Sequence, residues 1–160
     1  MLTKIGFLLS DCGPNQAAYE IIKSCNEYLS RKDNIDPIIF WRNISPFVIT
    51  PNFSSMCMYE AYRYNGNLIS FDLNSATRSL DYFVDSRYFY VFDLEWCHIK
   101  NRPYEQLAEI YQNPKLKLIA RSQQHYDIIK LSWGILPVGI VQNSNIEEFA
   151  GIINGENNGK

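Results

Sequence analysis

Hydrophobic and polar positions fall in blocks along the chain, and the spacing within the blocks changes period. Ile5 to Ser10 is one continuous apolar run, as expected of a strand buried on both faces of a parallel sheet. Gly13-Pro14-Asn15 breaks it, and Ala18, Ile21, Ile22, Cys25, Tyr28 and Leu29 then recur at three- and four-residue spacing, one face of a helix. Asp36 to Trp41 predicts a second strand, with Pro37 near its start where a missing donor does least harm. An irregular stretch, 42–53, follows. Ser54 or Ser55 is the expected cap of a short helix running through Met58 and Tyr62 to Asn65-Gly66. Asn67 to Leu73 predicts a third strand, and Asn74 or Ser75 caps a helix with Ala76, Leu80, Phe83 and Val84 inward.

Tyr88 to Phe92 is the most strand-prone run and the expected centre of the sheet. Pro103 opens a helix carrying Leu107, Ile110 and Tyr111, which Asn113-Pro114 stops. Leu116 to Ala120 is the fifth strand. Ser122 caps a helix through Tyr126, Ile129 and Trp133, with Gly134 in the left-handed position beyond it. Ile135 to Val141 is the sixth strand, and Asn145 with Glu148 three residues later opens a last helix. Strands alternating with helices predict an α/β fold: a doubly wound, mostly parallel six-stranded Rossmann-like sheet with helices on both faces. Residues 1–150 form this single domain, and 151–160 read as a polar C-terminal tail.

Composition agrees with one folded domain: 160 residues, 46% apolar and 20% charged. A net charge of −2 argues against a broad nucleic-acid footprint. No apolar run approaches the roughly 20 residues of a membrane span. The apolar start ends at Asp11, too early for a secretory signal, and no small-residue cleavage site follows. Cys12, Cys25, Cys57 and Cys97 lack any C-x-x-C pair, so free thiols in a reducing, cytoplasmic setting are expected. A zinc site from Cys12, Cys97, His98 and His125 requires the fold to bring them together, and no metal is implied otherwise. Abundant Asn, Ile, Lys, Tyr and Phe fit AT-rich coding, as in a phage, virus or AT-rich bacterium.

In such sheets ligands bind beyond the carboxyl ends of the strands, where strand order reverses. That rule selects Ser10, Asp11, Gly13 and Asn15 after the first strand, with Asp72, Asn74 and Ser75 after the third. Asp93, Glu95 and Trp96 follow the fourth, Arg121, Ser122 and His125 the fifth, and Gln142 and Asn143 the sixth. The first turn matches neither G-x-G-x-x-G nor a P-loop, and Pro14 removes a donor, so no nucleotide cofactor is implied. Gly13 serves a tight turn or presents amides to an anion. Asp93 and Glu95, two apart, share one face if the strand persists and then supply a general base; otherwise one caps a loop and the other is solvated. Trp96 stacks on a sugar or covers the core end. His125, in the first turn of its helix, is a neutral base or donor, or an ordinary surface histidine. Tyr59 to Tyr64 is a contact face or one packed helix side.

The C-terminal third carries a resemblance. Leu118-Ile119-Ala120-Arg121-Ser122 precedes a helix closing on Gly134-Ile135; Val138-Gly139-Ile140-Val141-Gln142-Asn143 follows, and then Ile146 and Phe149. This resembles the end of the N-terminal domain of GT-B-type glycosyltransferases, where a strand ends in serine, a helix closes on glycine, and the next strand meets an asparagine-led turn and a phenylalanine. The opening Lys4 to Leu9 with its Gly13 turn is similar to that domain's start. The resemblance implies an acceptor-side domain working on a sugar or nucleotide sugar, with a base near Asp11 or Asp93. Family members hold the donor mainly in a second domain, so a partner chain or homodimer is expected to complete the cleft. Asn143-Ser144 replaces the family's Asn-Gly turn, and the C-terminal acidic motif has no counterpart here. A non-catalytic nucleotide-, sugar- or protein-binding module of the same architecture is the other reading. A small doubly wound hydrolase is a third, without a G-x-S-x-G elbow.

Overall fold

The structure, a computed structural model, describes residues 2–43 and 45–157; residues 158–160 of the expected tail lie outside the described residues. Seven parallel strands make one sheet: β1 (Thr3–Asp11), β2 (Ile35–Asn43), β3 (Ser54–Cys57), β4 (Asn67–Ser70), β5 (Ser86–Val91), β6 (Lys117–Ala120) and β7 (Gly139–Ile140). Their order is β3-β2-β1-β4-β5-β6-β7. The helices are α1 (Gln16–Leu29), α2 (Leu73–Ser79), α3 (Tyr104–Tyr111), α4 (Gln123–Trp133) and α5 (Ile146–Asn157), with 3₁₀ helices at Met58–Arg63 and Glu95–Cys97. The fold is α/β and Rossmann-like.

Alternation along the strands divides the core. Ile5, Phe7 and Leu9 of β1, with Tyr88 and Tyr90 of β5, face α1 and α5. Phe89 and Val91 of β5 face the opposite layer, formed there by α2, α3 and α4. Leu8 of β1 and Phe40 of β2 face the Met58–Arg63 helix on that same side. The center of the first layer is aromatic: Phe149 of α5 packs edge-on against Tyr90 at 5.0 Å and lies 5.9 Å from Phe7. Gly6 and Gly139 are sites of close approach. A Cβ on Gly6 would stand 2.9 Å from Phe40 and Tyr64, and one on Gly139 would stand 2.5 Å from Ile152 Cδ1.

Several sequence expectations are corrected. Ser54–Cys57 is an edge strand, not a helix start, so the sheet has seven strands and only a 3₁₀ helix crosses from β3 to β4. This strand is exposed along most of its length, which is why it lacks an apolar signature. The third predicted strand stops at Ser70, and Asp72, not Asn74 or Ser75, caps α2 in a reciprocal capping box with Ser75. As α2 ends at Ser79, Phe83 lies beyond it and is 68% exposed. The sixth predicted strand shrinks to the two residues of β7, with Leu136 and Val138 exposed before it. The last helix runs through Gly151 to Asn157 and buries Ile153, so the polar residues of 151–155 lie on a helix.

Candidate functional site

The chain leaves β1 and β4 in opposite directions although the two strands are neighbours, and their carboxyl ends mark the switch point of the sheet. There Ser10 N–H and Ser10 Oγ–H donate to the two oxygens of Asp72, at 3.0 and 2.8 Å. The same carboxylate caps α2 by accepting from Ser75 N–H at 2.8 Å. One side chain thus ties the end of β1 to the start of α2. Beside it opens a crevice of about 250 Å³ lined by Leu9, Ser10, Asp11, Asn15, Ala17, Phe71, Asp72 and Asn74.

Asp11 organises the turn after β1. It accepts from the Ser45 hydroxyl and from Gly13 N–H, and these two bonds hold its carboxyl below the usual range. The Gly13 amide is therefore spent inside the turn. A side chain at Gly13 would crowd Ser45 Oγ at 2.9 Å, which accounts for glycine. Asn15 caps α1, accepting from Ala18 N–H at 2.9 Å. The Cys12 thiol is buried, and burial pushes it up to about 12, which leaves it protonated and unreactive at neutral pH.

Asp93 and Glu95 do not share a strand face, because β5 ends at Val91. Asp93 is exposed and accepts from Leu94 N–H at 2.8 Å. Glu95 begins a 3₁₀ helix, turns back over the first turn of α2, and accepts from Leu73 N–H at 2.7 Å. Burial pushes Glu95 up to about 7; Asp72 and Asp93 add to the rise, and the Leu73 amide and Arg102 oppose it. Trp96 packs edge-on against Tyr111 and Trp133, at 4.8 and 5.6 Å, and covers the end of the core.

The other candidates gather at the far end of the same edge. Ser122 caps α4, accepting from His125 N–H, and its hydroxyl lies 3.0 Å from His125 Nδ1. Burial and the Arg121 charge hold His125 below its ordinary value. Arg121, Ser122, His125, Gln142 and Asn143 surround a hollow of about 350 Å³. Arg121 lies over the Phe92 ring at 4.2 Å and pairs with Glu20 of α1 at 3.3 Å. Glu20 also accepts from the Ser144 hydroxyl at 3.1 Å. Asn143 and Ser144 have φ of 50° and 51°, the backbone that an Asn-Gly turn adopts without strain. The Ser144 bond to Glu20 helps hold the strained serine in place. A larger groove of about 460 Å³, between α1 and the β7–α5 turn, shares Gln142 and Asn143 with this hollow but lies on the flank of the sheet.

The sequence candidates therefore form two groups. Ser10, Asp11 and Asn15 line the switch-point crevice, with Gly13 in the turn beside it and Glu95 adjoining it through Leu73; Arg121, Ser122, His125 and Asn143 line the second hollow, and Asp93 lines neither. Phe71, which lines the crevice, lies 6.4 Å from Phe92 beneath Arg121 and connects them. Ser45, just beyond the carboxyl end of β2, and Glu20, within α1, were not legible as site residues, since both act through partners distant in sequence. Among the described residues no group of three or more His, Cys, Asp or Glu is placed to hold a metal, and Cys12, Cys97, His98 and His125 do not form one. No helix among them is long and apolar enough to cross a membrane. Comparison with known proteins finds no family model, curated protein or solved structure that matches the chain.

Proposed function

We propose that the protein binds a sugar ring, free or as part of a nucleotide sugar, over the carboxyl ends of β1 and β4, as a glycosyltransferase-like acceptor-side domain. The observation that carries this reading is the set of carboxylates at the switch point, Asp11 and Asp72 in the crevice with Glu95 beside them. Carboxylates are acceptors suited to vicinal hydroxyls, whereas an exposed phosphate would be repelled there. Glu95, whose carboxyl burial pushes up to about 7, is poised to take a proton from an acceptor hydroxyl at neutral pH. Arg121, the start of α4 and Asn143 offer a phosphate a site at the other end of the edge. A partner chain or second copy would then supply the other wall of the cleft.

The alternative, a non-catalytic binding module, draws on a different observation. Asp11 and Asp72 already accept from their own neighbours, so both fix the shape of the crevice whether or not chemistry occurs there.

Calorimetric titration with free sugars, nucleotides and nucleotide sugars tests the proposal. Binding of a sugar-bearing ligand, weakened at least about tenfold by Asp11→Asn, is expected. Silence across the panel overturns it. Binding that occurs without sugar transfer, and that Glu95→Gln leaves unchanged, selects the non-catalytic module.

A further inference from the structure

We infer that the β3 end of the sheet is a self-association surface, at which a second copy of this chain docks around a two-fold axis. The crossover from β3 to β4 carries only the six-residue 3₁₀ helix Met58–Arg63, where the crossovers on the rest of that face carry α2, α3 and α4. So short an element leaves apolar side chains uncovered. Tyr59 and Tyr62, three apart and aligned on one side of the 3₁₀ helix, are 73% and 45% exposed, and Phe83 is 68% exposed. Phe83 packs edge-on against Tyr62 at 5.4 Å, and Phe83 N–H donates to Tyr62 C=O at 2.8 Å, so these two rings form one surface. Met56 of β3 pairs in register with Phe40, shares its sheet face, and adds a side chain 44% exposed.

At about 200 Å² per aromatic side chain, the three rings leave about 400 Å² open. Met56 adds to this apolar patch, which is about half of the roughly 800 Å² that each partner contributes to a standard interface, so the edge of β3 must supply the rest by backbone pairing. Two features fit a second copy in particular. The outer edge of β3 receives no backbone hydrogen bond among the described residues, and Ser54–Cys57 has neither a charge nor a proline to discourage pairing. A two-fold axis pairs that edge with itself in antiparallel fashion. Glu60 and Arg63, both exposed on the same 3₁₀ helix, carry opposite charges, so the axis can set Glu60 of one protomer against Arg63 of its partner.

Light scattering on size-exclusion fractions tests the inference, with loading raised from about 1 to about 200 µM, the span in which a modest interface of this size assembles. The expected result is a mass rising from 18.6 kDa toward twice that value. Tyr59→Glu with Phe83→Asp, both at exposed positions, should weaken association at least about 30-fold while circular dichroism stays unchanged. Leu131→Glu, at a residue 88% exposed on α4 at the other end of the sheet, should leave it intact. A wild-type mass of 18.6 kDa at every loading overturns the inference and assigns the patch to another partner. It is also overturned if the Tyr59–Phe83 double variant remains dimeric, or if Leu131→Glu alone dissociates the dimer.

Discussion

Replacing Glu95 with glutamine isolates the cost of a carboxylate that the fold has pressed against the start of α2. Burial raises this group from 4.5 to about 7, so the folded protein holds its proton more tightly than the unfolded chain does. The resulting stabilisation is fully present below about 4.5 and is lost as pH rises through about 7. A shift of that size corresponds to about 3 kcal/mol, which solvent at a half-buried site reduces to about 1–2 kcal/mol. Glutamine keeps an oxygen to accept from Leu73 N–H and has no charge to bury. Urea unfolding of both proteins from about pH 4 to about pH 8.5 should give equal stabilities at the acid end. Above pH 7 the variant should lead by about 1–2 kcal/mol, or roughly 3–7 °C in Tm. Because other titrating groups are common to both proteins, the difference reports Glu95 alone. Parallel curves across the range, or a variant weaker than wild type above pH 7, would refute the assignment of burial as the cause.

Asp72→Ala removes the cap of α2 and the acceptor of two bonds from Ser10, and should cost about 2–3 kcal/mol. Amide exchange should quicken at Ser10 and Ser75 ahead of the strand centres; unchanged exchange there would refute the tie. Gly139→Ala drives a methyl group into Ile152 and should cost about 1–3 kcal/mol by chemical denaturation. Combining it with Ile152→Ala should recover about 1 kcal/mol of that relative to additive behaviour; strict additivity would show that the contact does not limit packing.

The sequence made the middle of the sheet readable because strand and helix signals there are local. Ile5 to Leu9 and Tyr88 to Val91 are buried on both faces, and Ser122 and Gly134 bracket α4 through caps that depend on adjacent backbone. The signals fail where burial is one-sided or absent. Ser54–Cys57 is a strand only because β2 lies beside it, and its Ser-Ser-Met-Cys sequence has no periodicity to betray it. Asp72 becomes a cap once β4 stops at Ser70, a boundary set by its pairing with β1. Strand-end counting selected Asp11, Asn15, Arg121 and Ser122, which line the crevice or the hollow. The elevated proton affinity of Glu95 depends on α2 folding over it, and the tie of Arg121 to Glu20 spans helices far apart in sequence.

Amide chemical shifts followed through a titration with the tightest-binding sugar or nucleotide sugar test the placement of the ligand most directly. The largest changes should fall on Ser10, Asp11, Asn15, Leu73 and Asn74 around the crevice, with a phosphate extending them to Ser122 and Asn143. Changes confined to the β3 end, to the groove beside α1, or to the opposite edge of the sheet would contradict a sugar site at the β1–β4 switch point.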